Sequence, residues 1–273
     1  MKPAAPSWPP EWLDEAKLHV AVTQWGLGCY EHYVAGDEEA WLAAAVAAGE
    51  HLLGQQTREG RLAGGFVHDE PYPHTFHLPP PWLSGITQGQ AASLFVRLHR
   101  ETGEPRYAEA ARLSLLPLGR PTSEGGLQVL LDGLPVHEEY PTEPPSYVLN
   151  GGLFALFGLY DAGVGLPDAG ALAAFEQTAE AYAQNLHRWD LGYWSRYDLH
   201  PHPLVNVASS SYHHLHISQL DALARLSPLP QFPAMRERFR TYERSRRCRG
   251  RAFAGKVRFR LAVSRRRAAG DPE

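Results

Sequence analysis

The chain has 273 residues, room for one large domain or two small ones, and its 44% hydrophobic content suits a packed globular core. Two cysteines, Cys29 and Cys248, make no disulfide framework, and no uninterrupted apolar run reaches the ~18 residues of a membrane span. The net charge of −4 divides unevenly: residues 231–267 carry 14 Lys and Arg against Glu237 and Glu243, while residues 1–230 sum to −14.

Residues 1–15 read as an N-terminal extension. Met1 to Trp12 has four prolines and no apolar h-region, so no signal peptide is expected and the protein reads as cytoplasmic. Helical periodicity opens at residues 16–34. In 38–54, Trp41, Ala45, Ala48 and Leu52 share one face, with Gly54 as a stop. In 88–102, Ala91, Leu94, Phe95 and Leu98 do the same; Thr102-Gly103 ends that helix and Pro105 starts the next, to about 118.

Residues 127–136 predict a hairpin turning at Asp132-Gly133. The segment 147–160 is apolar nearly all round, which marks a helix buried on every side, and Ser146 is placed to cap it. Helices follow at 167–186, 212–226 and 230–249. These make about eight helices in four pairs within a domain spanning 16–250, ahead of a basic tail at 251–273. The basic end reads either as a polyanion-binding edge or as a solvated helix and tail. The fold class expected is all-α, an (α/α) toroid or incomplete barrel with short hairpins in its loops.

Three polar and aromatic clusters sit in or beside the long loops, where function often lies. The first runs from Glu138 to Ser146 and leads to Asn150, an amide inside an apolar helix that either meets a substrate or satisfies a loop carbonyl. The second is Trp189 to His200. The third is Tyr212 to Leu220, where Tyr212, His216 and Gln219 share a helical face. His74, Trp82, Gln88 and Gln90, around the start of the third helix, are further candidates for a cleft lining. The histidines suggest a metal site as a rival, but no H-E-x-x-H or other firm ligand spacing occurs, so no metal is expected.

The strings EEYPTEPPSYVLNGGLFALFGLYD, YDL and YHHLHISQL resemble the C-terminal domain of D-glucuronyl C5-epimerases. TQWGLGCYEHY, PHTFHLPPPWLSGITQGQAASLFVRLH and TGEPRYAEAA fit the same family in order, and the resemblance covers roughly residues 18–262. It implies an (α/α) toroid, epimerisation of D-glucuronosyl to L-iduronosyl residues in a heparosan-like polysaccharide, and a homodimer. Such a reaction moves one proton at C5 and calls for no redox cofactor. It needs a base and an acid on opposite faces of the ring and stabilisation of the charge that grows on the carboxylate.

Matched to the family's motifs, Glu139 and Tyr140 are the Glu-Tyr of its EYP motif, Tyr197 the Tyr of its Tyr-Asp-Leu motif, and Tyr212 the Tyr before its His-x-x-His, here His213 and His216. Glu139 and Tyr212 are expected to work on opposite faces of the ring, with Tyr140 and Tyr197 assisting. Asn150, His213, His216, Gln88, Gln90, Trp82 and His74 are candidate substrate contacts. Where the family commonly carries a carboxylate-binding Arg after Tyr-Asp-Leu, this chain has His200; His202, Arg196 and Arg188 are the nearby substitutes. Animal-type members add a β-sandwich, for which these residues leave no room. A polysaccharide lyase or glycosidase on the same frame, and an inactive uronate-glycan-binding protein, are the alternatives. A nucleic-acid role has no reading motif behind it.

Overall fold

Apolar residues recurring at steps of three and four dictate helix along most of the chain, and helix forms. The computed structural model describes residue 10 and residues 18–36, 38–71, 75–76 and 78–269, with side chains as far as 264. Among the described residues it is all-α apart from one hairpin. The helices are α1 (His19–Val34), α2 (Glu39–Gln55), α3 (Gly85–Thr102), α4 (Pro105–Leu115), α5 (Leu149–Gly165), α6 (Ala169–Asn185), α7 (Ser210–Leu226), α8 (Gln231–Arg244) and α9 (Arg246–Ala269). The hairpin pairs β1 (Gln128–Leu131) with β2 (Leu134–His137). Asp132 and Gly133 both take positive φ, as a two-residue turn of this kind requires.

Local signals set several ends. Ser84 Oγ accepts the Thr87 N–H at the start of α3, and Gly103 closes that helix in the left-handed region. Pro105 occupies the first turn of α4. Ser209 Oγ accepts the Tyr212 N–H at the start of α7. Ser146, in contrast, does not cap α5; its hydroxyl donates to Glu138 instead.

The chain divides into two compact units. The first comprises α1 to α4, most of α5 and the first turns of α6. Its core gathers Trp41, Ala45, Ala48, Leu52, Leu94, Phe95, Leu98 and Tyr107. There α3 and α5 approach so closely that a Cβ on Gly89 would stand 2.7 Å from Ala155 Cα.

The second unit holds the strand residues from Val129 onward, the start of α5, the second half of α6, the loop after it, and α7 to α9. Two enclosed tryptophans fix the loop: Trp189 Nε1 donates to Tyr147 O (3.0 Å) and Trp194 Nε1 to Ala208 O (3.0 Å). Asp221 accepts from Arg225, Arg236 and Arg240, and Arg238 reaches Asp190 at 2.7 Å, so part of the basic end is neutralised within this unit.

Where a tail was expected past residue 250, α9 continues as helix to Ala269. Its inward positions, Cys248, Ala252, Lys256 and Phe259, recur at steps of four, four and three, a helical stripe hidden among arginines. Among the described residues no helix is long and apolar enough to cross a membrane. Of the N-terminal extension, residues 1–9 and 11–15 lie outside the described residues, as do His74 and His77.

Candidate active site

All the central residues lie in the second unit. Glu138 and Glu139 follow β2 directly and are carried inside, 0% and 4% exposed. A carboxylate taken out of water needs donors, and the two differ in how many they have. Glu138 accepts the Ser146 N–H (3.0 Å), the Tyr147 N–H (2.7 Å) and the Ser146 hydroxyl. Tyr147 sits in the left-handed region at φ 49°, unusual for a bulky side chain. It is held there by that bond, by Trp189, and by its own hydroxyl donating to Leu130 O at 2.8 Å. Glu138 is thus a brace for the 140–147 loop. Burial still pushes its carboxyl up to about 7 against these donors, with Asp198 adding to the shift.

Glu139 has fewer partners. Its Oε2 accepts from Asn150 Nδ2 at 3.4 Å, and the Tyr140 side chain hydrogen-bonds it. Burial pushes its carboxyl up to about 8, the Glu138 charge reinforcing the shift. A carboxyl poised there exchanges a proton near neutral pH, as a general acid or base must. Asn150 therefore turns its amide nitrogen to Glu139, while its Oδ1 is buried with no hydrogen-bond partner among the described residues. Its main-chain carbonyl accepts from Gln219 Nε2 at 2.9 Å, which ties α5 to α7.

Tyr197 and Tyr212 meet edge to face, ring centroids 4.8 Å apart. Tyr197 is enclosed. Its N–H donates to Asn206 O (2.8 Å) and its carbonyl accepts the Leu149 N–H (3.1 Å), which fixes it against the start of α5. Burial first, then the nearby charges of Glu139 and Tyr212, hold its hydroxyl well above the usual phenol range. A cation beside a tyrosine would lower it; here burial wins, and Tyr197 stays protonated. Tyr212, on the first turn of α7, is 38% exposed. The structure thus groups Glu139, Tyr140, Asn150, Tyr197 and Tyr212.

His213 and His216 are fully enclosed behind Tyr212. The Ser195 N–H donates to His213 Nδ1 (3.2 Å), Ser195 Oγ lies 2.8 and 2.9 Å from the two Nδ1 atoms, and His213 Nε2 faces Phe239 O at 3.1 Å. Trp194 stacks on His213 at 3.7 Å. Burial depresses His213 to about 4 and His216 to about 3, so both are neutral. They fasten the Tyr197 loop to α7.

His200 is likewise held below its ordinary value, by burial first and then by His202. Its ring packs on Phe76 at 5.2 Å and on His202 at 4.6 Å. His202 Nε2 lies 3.4 Å from Asp198 Oδ2, which also accepts from Asn206 Nδ2 at 2.6 Å. Arg196 is half-buried with its Nε unbonded among the described residues, and Arg188 pairs with Asp132 at 2.7 Å.

Sequence comparison now fixes the family. The model of the D-glucuronyl C5-epimerase C-terminus matches residues 62–241, well over half of the chain and all of the grouped residues. The chain belongs to this family. A D-glucuronyl C5-epimerase of Caenorhabditis elegans is 32% identical over 162 residues, covering 54% of this chain and 26% of that protein. An uncharacterized protein of Methanocaldococcus jannaschii is 28% identical over 149 residues, covering 53% of this chain and 47% of that protein. The chain thus spans about a quarter and about half of these relatives.

Three candidates within the family match fall in the first unit. Gln88 is enclosed: Nε2 donates to Gly64 O (3.0 Å) and Ser114 O (2.8 Å), and Oε1 accepts from Phe66 N (3.1 Å). Gln90 Oε1 accepts from the Thr23 hydroxyl at 2.9 Å. Trp82 stacks on His68 at 4.1 Å and donates to Glu70 O at 3.0 Å. Each is engaged in holding its own unit together.

Sequence reasoning missed Lys256, which lies on α9 beyond the family match. Its Nζ stands 5.6 Å from the Tyr197 ring centroid and donates to Asn206 Oδ1 at 2.8 Å. The detectable signal was position: Lys256 falls in the inward stripe of α9, in step with Ala252 and Phe259. Among the described residues no three His, Cys, Asp or Glu side chains form a group that could hold a metal ion.

Proposed function

We propose that the chain is a C5-epimerase of D-glucuronosyl residues in a heparosan-like uronic-acid polysaccharide, converting them to L-iduronosyl residues. The observation that carries this reading is Glu139, a buried carboxyl held near 8, grouped with Tyr197 and Tyr212. In this mechanism the Glu139 carboxylate takes the C5 proton, and the electron pair left behind delocalises into the hexuronate carboxylate. A proton then returns to C5 on the opposite face from Tyr212, and solvent resets both groups. Tyr140 donates to Glu139 and stabilises its charged form. Tyr197, kept protonated by burial, is a donor beside them. The Oδ1 of Asn150, without a partner among the described residues, suits a sugar hydroxyl.

The reading extends to an (α/α) toroid as the frame, supported by the succession of helices, and to a homodimer working in the cytoplasm without a cofactor. His200 and Arg196, in the second unit beside Tyr197, remain candidates for substrate contact within it. A lyase would share proton removal and then expel the C4 substituent, leaving an unsaturated uronate that absorbs ultraviolet light. Incubation with heparosan in deuterated water separates these: deuterium at C5 without ultraviolet absorbance supports the epimerase, absorbance supports a lyase, and binding with neither supports an inactive glycan-binding protein.

A further inference from the structure

Proton removal at C5 places a second negative charge on the hexuronate carboxyl group, and a site that speeds it must set a cation there. His200, at the position where the family commonly has Arg, is kept neutral by burial and by His202. Arg188 is committed to Asp132. Arg196, bridged to Val207 next to Tyr197, has Asp198 as its nearby opposite charge.

Lys256 is the remaining cation against Tyr197 among the described residues. Its stem runs inward from α9 between Ala252 and Phe259, and its amine faces the Tyr197 ring at 5.6 Å and the Phe259 ring at 5.5 Å. An ammonium carries three donors. Asn206 Oδ1 takes one of them, and no carboxylate oxygen of the described residues lies within 4 Å. The same Asn206 turns its Nδ2 to Asp198, so the bridge fixes the amine without neutralising it at contact. Lys256 is half-buried, and an ammonium partly withdrawn from water with donors to spare is favoured by an anion that completes it.

We infer that the Lys256 ammonium binds the hexuronate carboxylate beside Tyr197, an inference that rests on the epimerase reading for its substrate. Burial first, then the nearby Arg260 charge, lower the Lys256 amine to about 8 against the pull of Asp198, and an anion bound at the amine would raise it.

The test uses the full chain, a glucuronate oligosaccharide, and the same oligosaccharide with its carboxyl groups reduced to alcohols. Calorimetric titration of the wild type is expected to favour the carboxylate form by at least about tenfold. Lys256→Met should bind the two forms alike, and Lys256→Arg should recover most of the preference. A second measurement needs no variant: with 13C-labelled lysine, the Lys256 amine should titrate at higher pH once the carboxylate oligosaccharide is bound, and not with the reduced one. An unshifted titration, a folded Lys256→Met that keeps the preference, loss of preference in Arg196→Met instead, or no preference in the wild type overturns the inference. Preference in the wild type without C5 exchange rejects the epimerase reading alone; exchange with the preference intact in Lys256→Met rejects the Lys256 assignment alone.

Discussion

Gly151 on α5 leaves the room that the Glu139 carboxyl occupies: a Cβ at 151 would stand 2.6 Å from Glu139 Oε2 and 2.7 Å from its Cγ. The neighbour that would have to yield is a charge-bearing side chain in a closed space. Gly151→Ala should therefore cost roughly 1–3 kcal/mol through overpacking, despite alanine's advantage of about 1 kcal/mol in helices. C5 exchange should fall at least tenfold, since misplacing a proton carrier by an ångström costs that much or more. Thermal unfolding and deuterium incorporation check the two parts separately.

Glu138 and Glu139 have different tasks, and Glu138→Ala should separate them. It leaves the main-chain N–H groups of Ser146 and Tyr147 without their acceptor and releases the left-handed turn at Tyr147. A loss of roughly 2–3 kcal/mol is expected in denaturant titration. A loss under about 0.5 kcal/mol would show that the brace is not needed.

The buried carboxyls also give stability a sign with pH. Glu139 titrates near 8 in the folded chain and near 4.5 when unfolded, so the folded state binds the extra proton between these values. Its contribution is fully present below pH 4.5 and is lost as pH rises through 8. Glu139→Gln should therefore gain stability over the wild type as pH climbs from 4.5 to 8, by on the order of 2 kcal/mol at the upper end. Denaturant midpoints measured every half unit of pH would reveal a flat difference if Glu139 were not perturbed.

His213 and His216 act in the other direction. Their folded values, about 4 and about 3, lie below the ordinary 6.5, so the unfolded state binds more protons in that window. Their contribution is complete above 6.5 and is lost as pH falls toward 3. His216→Gln should flatten acid denaturation below pH 6.5. An unchanged acid limb would contradict neutral, enclosed imidazoles at this position.

Much of the fold is legible in the sequence because amphipathic stripes and stop signals agree. The α2 stripe at Trp41, Ala45, Ala48 and Leu52, and the Gly103-Pro105 break between α3 and α4, are examples. The α9 helix is not legible in the same way. Its stripe is built from Cys248, Ala252, Lys256 and Phe259 amid arginines, so an average over a window reads as a solvated tail. Ser146 has the residue type and position of a cap, but a buried carboxylate eight residues earlier competes for its hydroxyl. The grouped site residues could be named from motifs. Their proximity could not, since it depends on long-range bonds such as Leu149 N–H to Tyr197 O and Gln219 to Asn150.

The most direct test of the account is deuterium incorporation at C5 of a glucuronate polymer incubated with the protein in deuterated water. Incorporation is expected by the wild type and none by Glu139→Gln or by Tyr212→Phe, each folded. Full exchange in both variants, or none in the wild type, would contradict it.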